Sequence, residues 1–219
     1  MLLTTIFPMP ESFLHDFFDS LNLQTLKDFD VVVVNDGYED FETVQKRYEN
    51  LSIFELPFSD TPAKNREYGI NYCLDQNYDV IIFGDSDDYF SYNRVELSLK
   101  MLIDWDIVVN DVSLFDESGV YEDKYVSHRV RNRTAIKHNF IQNKNIFGLS
   151  NTAVRRKAIG HVVFDENLVA VDWAFYKGLL RNGCTAIFTN EMITYYRQHS
   201  DNTIGLRAEK DKYYLWWEK

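Results

Sequence analysis

Three carboxylates fall within four positions in the stretch Asp85-Ser86-Asp87-Asp88, directly after the short apolar run Val80–Phe83 and a glycine, Gly84. The run has the composition of a strand buried on both faces. In an extended segment residues two apart project to the same side, so Asp85 and Asp87 can face one point. Two convergent carboxylates repel each other unless a cation sits between them. Hard divalent ions such as Mg²⁺ or Mn²⁺ take oxygen ligands, commonly one or two carboxylates completed by substrate phosphates. The pattern points to a divalent metal site at the carboxyl end of a strand; read alone, it equally describes a solvated acidic turn. A further acid, Asp172, opens the apolar-periodic stretch Val171–Leu180. There it is placed either to take a proton from a substrate hydroxyl or to cap a helix.

Those acids need a scaffold. Leu2–Phe7 reads as a strand stopped by Pro8 and Pro10, and Phe13, Leu14, Phe17, Phe18 and Leu21 have the spacing of an amphipathic helix over Glu11–Leu21. Phe29–Val34 is a second strand, ended by the turn signal Asn35-Asp36-Gly37. A polar helix near Phe41–Glu49, a strand at Leu51–Leu56, a loop over Pro57–Ala63, and a helix from Thr61 or Asn65 to about Gln76 lead to Val80–Phe83. Alternating strands and helices predict a mostly parallel sheet with helices on both faces, and such sheets bind ligands at the carboxyl ends of their strands. Phe7-Pro8, Asn35-Asp36-Gly37 and Asp85-Ser86-Asp87 all fall on that edge.

The second half is less regular. Arg94–Leu102 reads as a helix, Asp106–Phe115 as a strand, and Gly119–Val126 as a hairpin return. Ser127–Asn145, rich in basic residues and poor in apolar ones, reads as mobile or ligand-facing. Phe147–Val154 is strand-like, followed by a short helix near Arg156–Ile159, a helix over Val169–Leu180, and separate strands at Cys184–Thr189 and Met192–Arg197.

The 219 residues, 45% hydrophobic and 16% aromatic, suffice for one large core, so disorder of the whole chain is excluded. A formal charge of −11 argues against a nucleic-acid partner, which would call for basic stripes. Cys73 and Cys184 each lie in apolar surroundings and read as buried thiols. No apolar run nears the roughly 20 residues needed to cross a bilayer, and the start lacks a basic leader region. The expectation is a cytoplasmic protein, with attachment to the inner face of the membrane as an option. Ala208–Lys219 carries Tyr213, Tyr214, Trp216 and Trp217, which suit either a peripheral membrane contact or packing on the domain or on a second copy in a homodimer.

Taken in order, five blocks resemble the family 2 glycosyltransferases, inverting enzymes of the GT-A fold. Phe13 to Gly37 resembles the family's first helix, its Ser-x-x-x-Gln-Thr turn and its Asp-Asp-Gly-Ser strand end. Asn65-Arg66-Glu67-Tyr68-Gly69-Ile70 resembles its Ala-Arg-Asn-x-Gly-Ile helix start, and Asp85-Ser86-Asp87-Asp88 its Asp-Ala-Asp-Asp metal motif. Val171-Asp172-Trp173-Ala174-Phe175 resembles Glu-Asp-Trp-Asp-Phe, and Tyr196-Arg197-Gln198-His199-Ser200 resembles Tyr-Arg-x-His-Ser. Departures occur at Phe7-Pro8-Met9-Pro10, where the family has Pro-x-Tyr-Asn, and at Asn35, Tyr38 and Val171.

The resemblance implies a single GT-A (Rossmann-like) α/β domain over 1–207, with a small antiparallel extension and the aromatic tail 208–219 appended. Residues 1–90 would form the nucleotide-binding half and 91–207 the acceptor-binding half. It also implies transfer of a sugar, with inversion, from a nucleotide-diphosphate sugar, a UDP-sugar foremost, to a hydroxyl of a glycan or lipid-linked acceptor. Asp172 would be the general base. Asp85, Asp87 and His199 would hold Mn²⁺ or Mg²⁺, with Asp88 in support. Phe7, Pro8, Asp36, Arg66, Asp85, Ser86 and Arg197 would bind the donor, and Trp173 would stack on the acceptor. Two other readings compete: a sugar nucleotidyltransferase, for which Ile6–Leu14 lacks the glycine-rich phosphate loop, and a catalytically silent member that acts as a binding partner.

Overall fold

The computed structural model describes residues 1–166 and 170–198. The first half follows the expected alternation: β1 (Leu2–Ile6), α1 (Glu11–Asn22), β2 (Asp30–Asn35), α2 (Phe41–Arg47), β3 (Ser52–Pro57), α3 (Pro62–Asp75) and β4 (Val80–Phe83). The second half comprises β5 (Tyr89–Phe90), α4 (Arg94–Met101), β6 (Ile107–Asp116), β7 (Gly119–Glu122), β8 (Ala135–Ile136), α5 (His138–Ile141), β9 (Thr152–Arg155), a 3₁₀ turn at Arg156–Ala158, α6 (Val171–Arg181) and β10 (Ala186–Arg197).

All the described strands join one mixed sheet in the order β3-β2-β1-β4-β9-β6-β10-β5, with β7 added to β6 and β8 to β10. The pairings β3–β2, β2–β1, β1–β4 and β6–β10 are parallel. β9 runs antiparallel between β4 and β6, which keeps β6 and β10 parallel to the first half and brings all their carboxyl ends to one rim.

Side-chain alternation fills two cores. Leu3, Val32, Val34, Ile81, Phe83, Ile107 and Val109 pack with α3 and α6 residues such as Ile70, Cys73 and Tyr176. Their neighbours Leu2, Val31, Val33, Ile82 and Val108 pack on the other face with Leu14, Phe17 and Phe18 of α1, Val44 of α2 and Val95 of α4. This two-sided burial explains the unbroken apolar runs of β2 and β4. Pro62 opens α3 in the position where a missing N–H costs nothing, and the Thr61 side chain accepts from the Lys64 amide. Gly69 brings α3 close to the sheet: a Cβ there would lie 2.8 Å from Val34 Cγ2 and 2.9 Å from Leu3 Cδ1. Among the described residues no helix is long and apolar enough to cross a membrane.

Four expectations need correction. Cys184–Thr189 and Met192–Arg197 are one strand, β10, whose pairing with β6 shifts register between Thr189 and Ile193. An irregularity there absorbs Asn190, Glu191 and Met192 without ending the ladder, and the polar pair Asn190-Glu191 looks like a break in the sequence. Only Thr152–Arg155 of the stretch Phe147–Val154 is strand. Tyr89–Phe90, unassigned from the sequence, pairs with Thr194 and Tyr195 of β10. Ser127–Asn145 is built into the domain: β8 and α5 bury Ile136 and Ile141, and Arg133 pairs with Glu191 of β10 at 2.7 Å. A few well-placed apolar residues anchor it despite its polar composition.

Candidate active site

The rim formed by the ends of β1, β2 and β4 is knit by main-chain and hydroxyl contacts. The Asp36 amide donates to the Ile6 carbonyl at 2.8 Å, and the Asp85 amide donates to Ser150 Oγ at 3.2 Å. The Ser86 hydroxyl donates to the Thr5 carbonyl at 2.7 Å, and Ser86 is buried. Asp85–Asp88 is a turn, closed by the Asp88 amide donating to the Asp85 carbonyl at 3.1 Å, and not the extended segment expected. It leaves Asp85 and Asp87 half-buried and turns Ser86 inward, so the Ser86 side chain holds the loop to β1.

Asp85 and Asp87 are both half-buried beyond the end of β4. The Asp85 carboxyl is pushed up to about 6, chiefly by burial; the nearby Arg66 guanidinium opposes this, and the negative charges of Asp87 and Asp172 add to it. Arg66, on the first turns of α3, places Nη2 3.7 Å from Asp85 Oδ1, an ion-pair distance rather than a hydrogen bond. Asp172 is raised by burial and lowered by the same Arg66 and by the Trp173 amide, which donates to Asp172 Oδ1 at 2.8 Å. Asp172 lies in the first turn of α6, whose capping position is Ala170, so it is not the helix cap. Two acids far apart in the sequence thus lie near one guanidinium, and the charge of Asp172 helps to raise Asp85.

Asp88 is different. It is fully buried, accepting from the Ser150 hydroxyl on Oδ2 and from the Arg197 amide on Oδ1 at 2.9 Å. Burial, with Asp87 and Asp85 nearby, raises it well above the usual carboxylate range. Beneath the loop lies Arg94, also buried, with its guanidinium 4.1 Å from the centre of the Phe90 ring and one nitrogen donating to the Phe83 carbonyl at 2.6 Å. Its Nε and Nη1 have no hydrogen-bond partner among the described residues. Burial lowers it to about 9, while Asp88 and Asp85 pull the other way.

On the β2 side, the Asp36 carboxylate accepts from Ser59 Oγ at 2.5 Å and from Asn65 Nδ2 at 2.7 Å. Phe7 and Pro8 stand exposed beyond β1. Beside the ends of β1 and β4 and the start of α3 is a cleft lined in part by Thr5, Asn65, Arg66, Gly84, Asp85 and Leu149. Asn65, Ser59 and Ser150 carried no signal as site residues in their own right. Isolated polar side chains in loops and helix starts look alike until the fold aims them at a carboxylate.

Two expected site residues make other contacts. Arg197 is turned into the protein: its Nε donates to the Asp87 carbonyl at 2.7 Å and its Nη2 to Asp16 at 2.5 Å. The Trp173 indole N–H donates to the Ile141 carbonyl at 2.8 Å, which braces α6 on α5, and Lys177, also on α6, lies 4.5 Å from the centre of the ring. His199 and the aromatic tail lie outside the described residues.

Among the described residues no group of three His, Cys, Asp or Glu side chains is arranged to hold a metal ion. Asp85 and Asp87 remain a donor set of oxygen atoms alone, partly open to solvent and mutually repulsive, which suits a hard divalent cation whose other ligands come from phosphate.

Comparison with known proteins agrees with this layout. A curated protein described as an uncharacterized glycosyltransferase of Rickettsia bellii (strain RML369-C) is 32% identical over 109 residues, covering 47% of this chain and 15% of that protein. Among solved structures, S. aureus TarS 1-349 in complex with UDP-GlcNAc superimposes with a TM-score of 0.68 at 20% identity, over 93% of this chain and 60% of that one. The mannosyltransferase PcManGT from Pyrobaculum calidifontis, in complex with GDP-Man and Mn²⁺, gives 0.66 at 16% identity, over 92% and 57%. This chain therefore spans less than two thirds of each of these relatives, and the structural likenesses establish its mixed α/β GT-A fold. The family model for glycosyl transferase family 2 matches residues 6–163, most of the chain, and the chain belongs to that family.

Proposed function

We propose that the protein moves a sugar, with inversion, from a nucleotide-diphosphate sugar to a hydroxyl of a glycan or lipid-linked acceptor. The observation that carries this reading is the nearness of Asp172, Asp85 and Arg66 at the rim: Arg66 lowers both acids, and Asp172 raises Asp85. The donor's base is assigned to the surface of Phe7, Pro8 and Asp36, with Asp36 held by Asn65 and Ser59 so that its orientation is set before a ligand arrives. Arg66 and Asp85 border the space between base and acid, where a diphosphate would lie. A UDP-sugar is the preferred donor; the relatives' complexes with UDP-GlcNAc and GDP-Man make both nucleotides candidates.

Asp172 acts as the general base. Inversion in one displacement needs a single carboxylate within hydrogen-bond reach of the acceptor hydroxyl and no covalent intermediate. Burial raises its affinity for the proton it must take, and the Arg66 guanidinium acts in the opposite direction. Asp85 and Asp87 would hold Mn²⁺ or Mg²⁺, which when bound neutralises charge developing on the departing diphosphate. Residues 1–90 make up the nucleotide half and 91–207 the acceptor half, with Trp173 on the acceptor side. Release of nucleoside diphosphate from a panel of UDP- and GDP-sugars with Mn²⁺ tests the reading. One donor should be turned over in the presence of acceptor; release of pyrophosphate from a nucleoside triphosphate and a sugar phosphate would refute it.

A further inference from the structure

Arg197, the last residue of β10, touches three other parts of the molecule at once: α1, β6 and the acidic loop. Its guanidinium lies between the rings of Phe13 on α1 and Phe115 on β6, 4.2 and 4.4 Å from their centres. Nη2 donates to Asp16 on α1 at 2.5 Å, and Nε donates to the Asp87 carbonyl at 2.7 Å. Its own amide donates to Asp88 Oδ1 at 2.9 Å. The side chain is only 12% exposed, whereas that of Asp16 is 50% exposed.

One residue from the far end of the chain thus grips two successive residues of the acidic loop, Asp87 by its carbonyl and Asp88 by its carboxylate. A planar, weakly hydrated guanidinium can be covered on both faces by rings and still donate in its own plane, which an ammonium cannot do. Holding the Asp87 carbonyl sets the peptide plane after Cα and with it the direction of the Asp87 side chain. Mutual repulsion of Asp85, Asp87 and Asp88 would otherwise spread the loop. We propose that Arg197 is a positioning residue, which keeps the acidic loop in the shape where Asp85 and Asp87 converge, and that its grip is anchored on α1 through Asp16. This rests on the reading of Asp85 and Asp87 as the cation ligands. It replaces a direct contact of Arg197 with the donor.

The test measures Mn²⁺ affinity by electron paramagnetic resonance, without nucleotide, in the parent protein, Asp16→Asn, Arg197→Lys and Arg197→Met, with thermal melting as the control for folding. UDP binding in EDTA is measured alongside. Asp16→Asn, remote from the cation, is expected to weaken Mn²⁺ binding about 2- to 5-fold, the range for a partly exposed ion pair. Arg197→Met is expected to weaken it on the order of tenfold, as for loss of charge-assisted hydrogen bonds, with Arg197→Lys in between. UDP binding in EDTA should be the same in all four. If Asp16→Asn and Arg197→Lys bind Mn²⁺ like the parent, or if Arg197→Met loses UDP binding in EDTA, the positioning role is wrong. If the parent itself binds no Mn²⁺, the cation site fails first, and the role of Arg197 with it.

Discussion

Asp30 and Asp106, at the amino ends of the strands, and Asp85, at the carboxyl ends, are treated in opposite ways. At the amino ends, Asp30 receives the Tyr78 hydroxyl at 2.7 Å, and Asp106 receives the amide and hydroxyl of Thr185 at 3.0 and 2.9 Å. The Thr185 amide holds the Asp106 carboxyl below its ordinary value. At the carboxyl ends, Asp85 has Arg66 at ion-pair distance and two other acids nearby, and it is pushed up to about 6. Asp111, fully buried in β6, belongs with the first group: it accepts from the amides of Val112 and Val126, each at 2.9 Å, and from Ser127. An acid supplied with donors by its own fold is part of the framework. An acid left short of donors beside others of its charge keeps its affinity for a cation, a proton or a ligand.

The strongest break of this contrast comes from Asp172→Asn. Transfer should fall about 10²–10⁴-fold, the usual weight of a general base, while donor binding measured by calorimetry stays near the parent's. Turnover at the parent rate would remove Asp172 from the chemistry. Asp87→Asn should weaken Mn²⁺ binding by roughly 100-fold, as expected when one of two charged ligands is lost, with no loss of melting temperature. An Asp87→Asn protein that keeps its Mn²⁺ affinity would place the cation elsewhere.

A change at the other end should do the reverse. Asp106→Ala leaves the Thr185 amide and hydroxyl without their acceptor and should cost about 1–2 kcal/mol in urea unfolding, with the rate of transfer per folded molecule unchanged. A drop in that rate would mean the two ends are coupled.

The smallest effect is in the pH dependence of stability in EDTA. Asp85 titrates near 6 when folded and near 3.9 when unfolded. Between those values the native state holds a proton that the unfolded state lacks, so stability rises as pH falls from 7 toward 5. With Asp85 about one third exposed, solvent screening limits this to about 1 kcal/mol, or roughly 2–4 °C in melting temperature. Asp85→Asn should flatten the slope. Asp106 has the opposite sign: its lowered value stabilises the fold above the unfolded value, and that contribution is lost as pH falls through the folded one. A parent protein whose melting temperature does not rise between pH 7 and pH 5 in EDTA would count against the contrast.

Much of the donor side could be read from the chain because it is local. The apolar runs of β1, β2 and β4 each end in polar or turn residues, and in a parallel sheet those ends must share a rim. The acidic pair after β4 was legible from residue type, whereas the inward Ser86 comes from the turn over Asp85–Asp88, which strand alternation does not describe. The second half was harder. β5 is two residues long, β10 continues through an irregularity, and Ser127–Asn145 is anchored by few apolar residues, so periodicity had little to act on.

Residue types and their spacing determined by themselves that the chain alternates strand and helix, that an acidic pair follows β4, and that an acid begins α6. Tertiary structure alone decided that these acids meet, that Asp88 is buried in the framework, and that Arg197 grips the loop from α1 and β6. The reason is physical. Element type follows from short-range periodicity, whereas the company a charge keeps depends on strand order, here on an antiparallel β9 set between β4 and β6, and on helices packed from distant parts of the sequence.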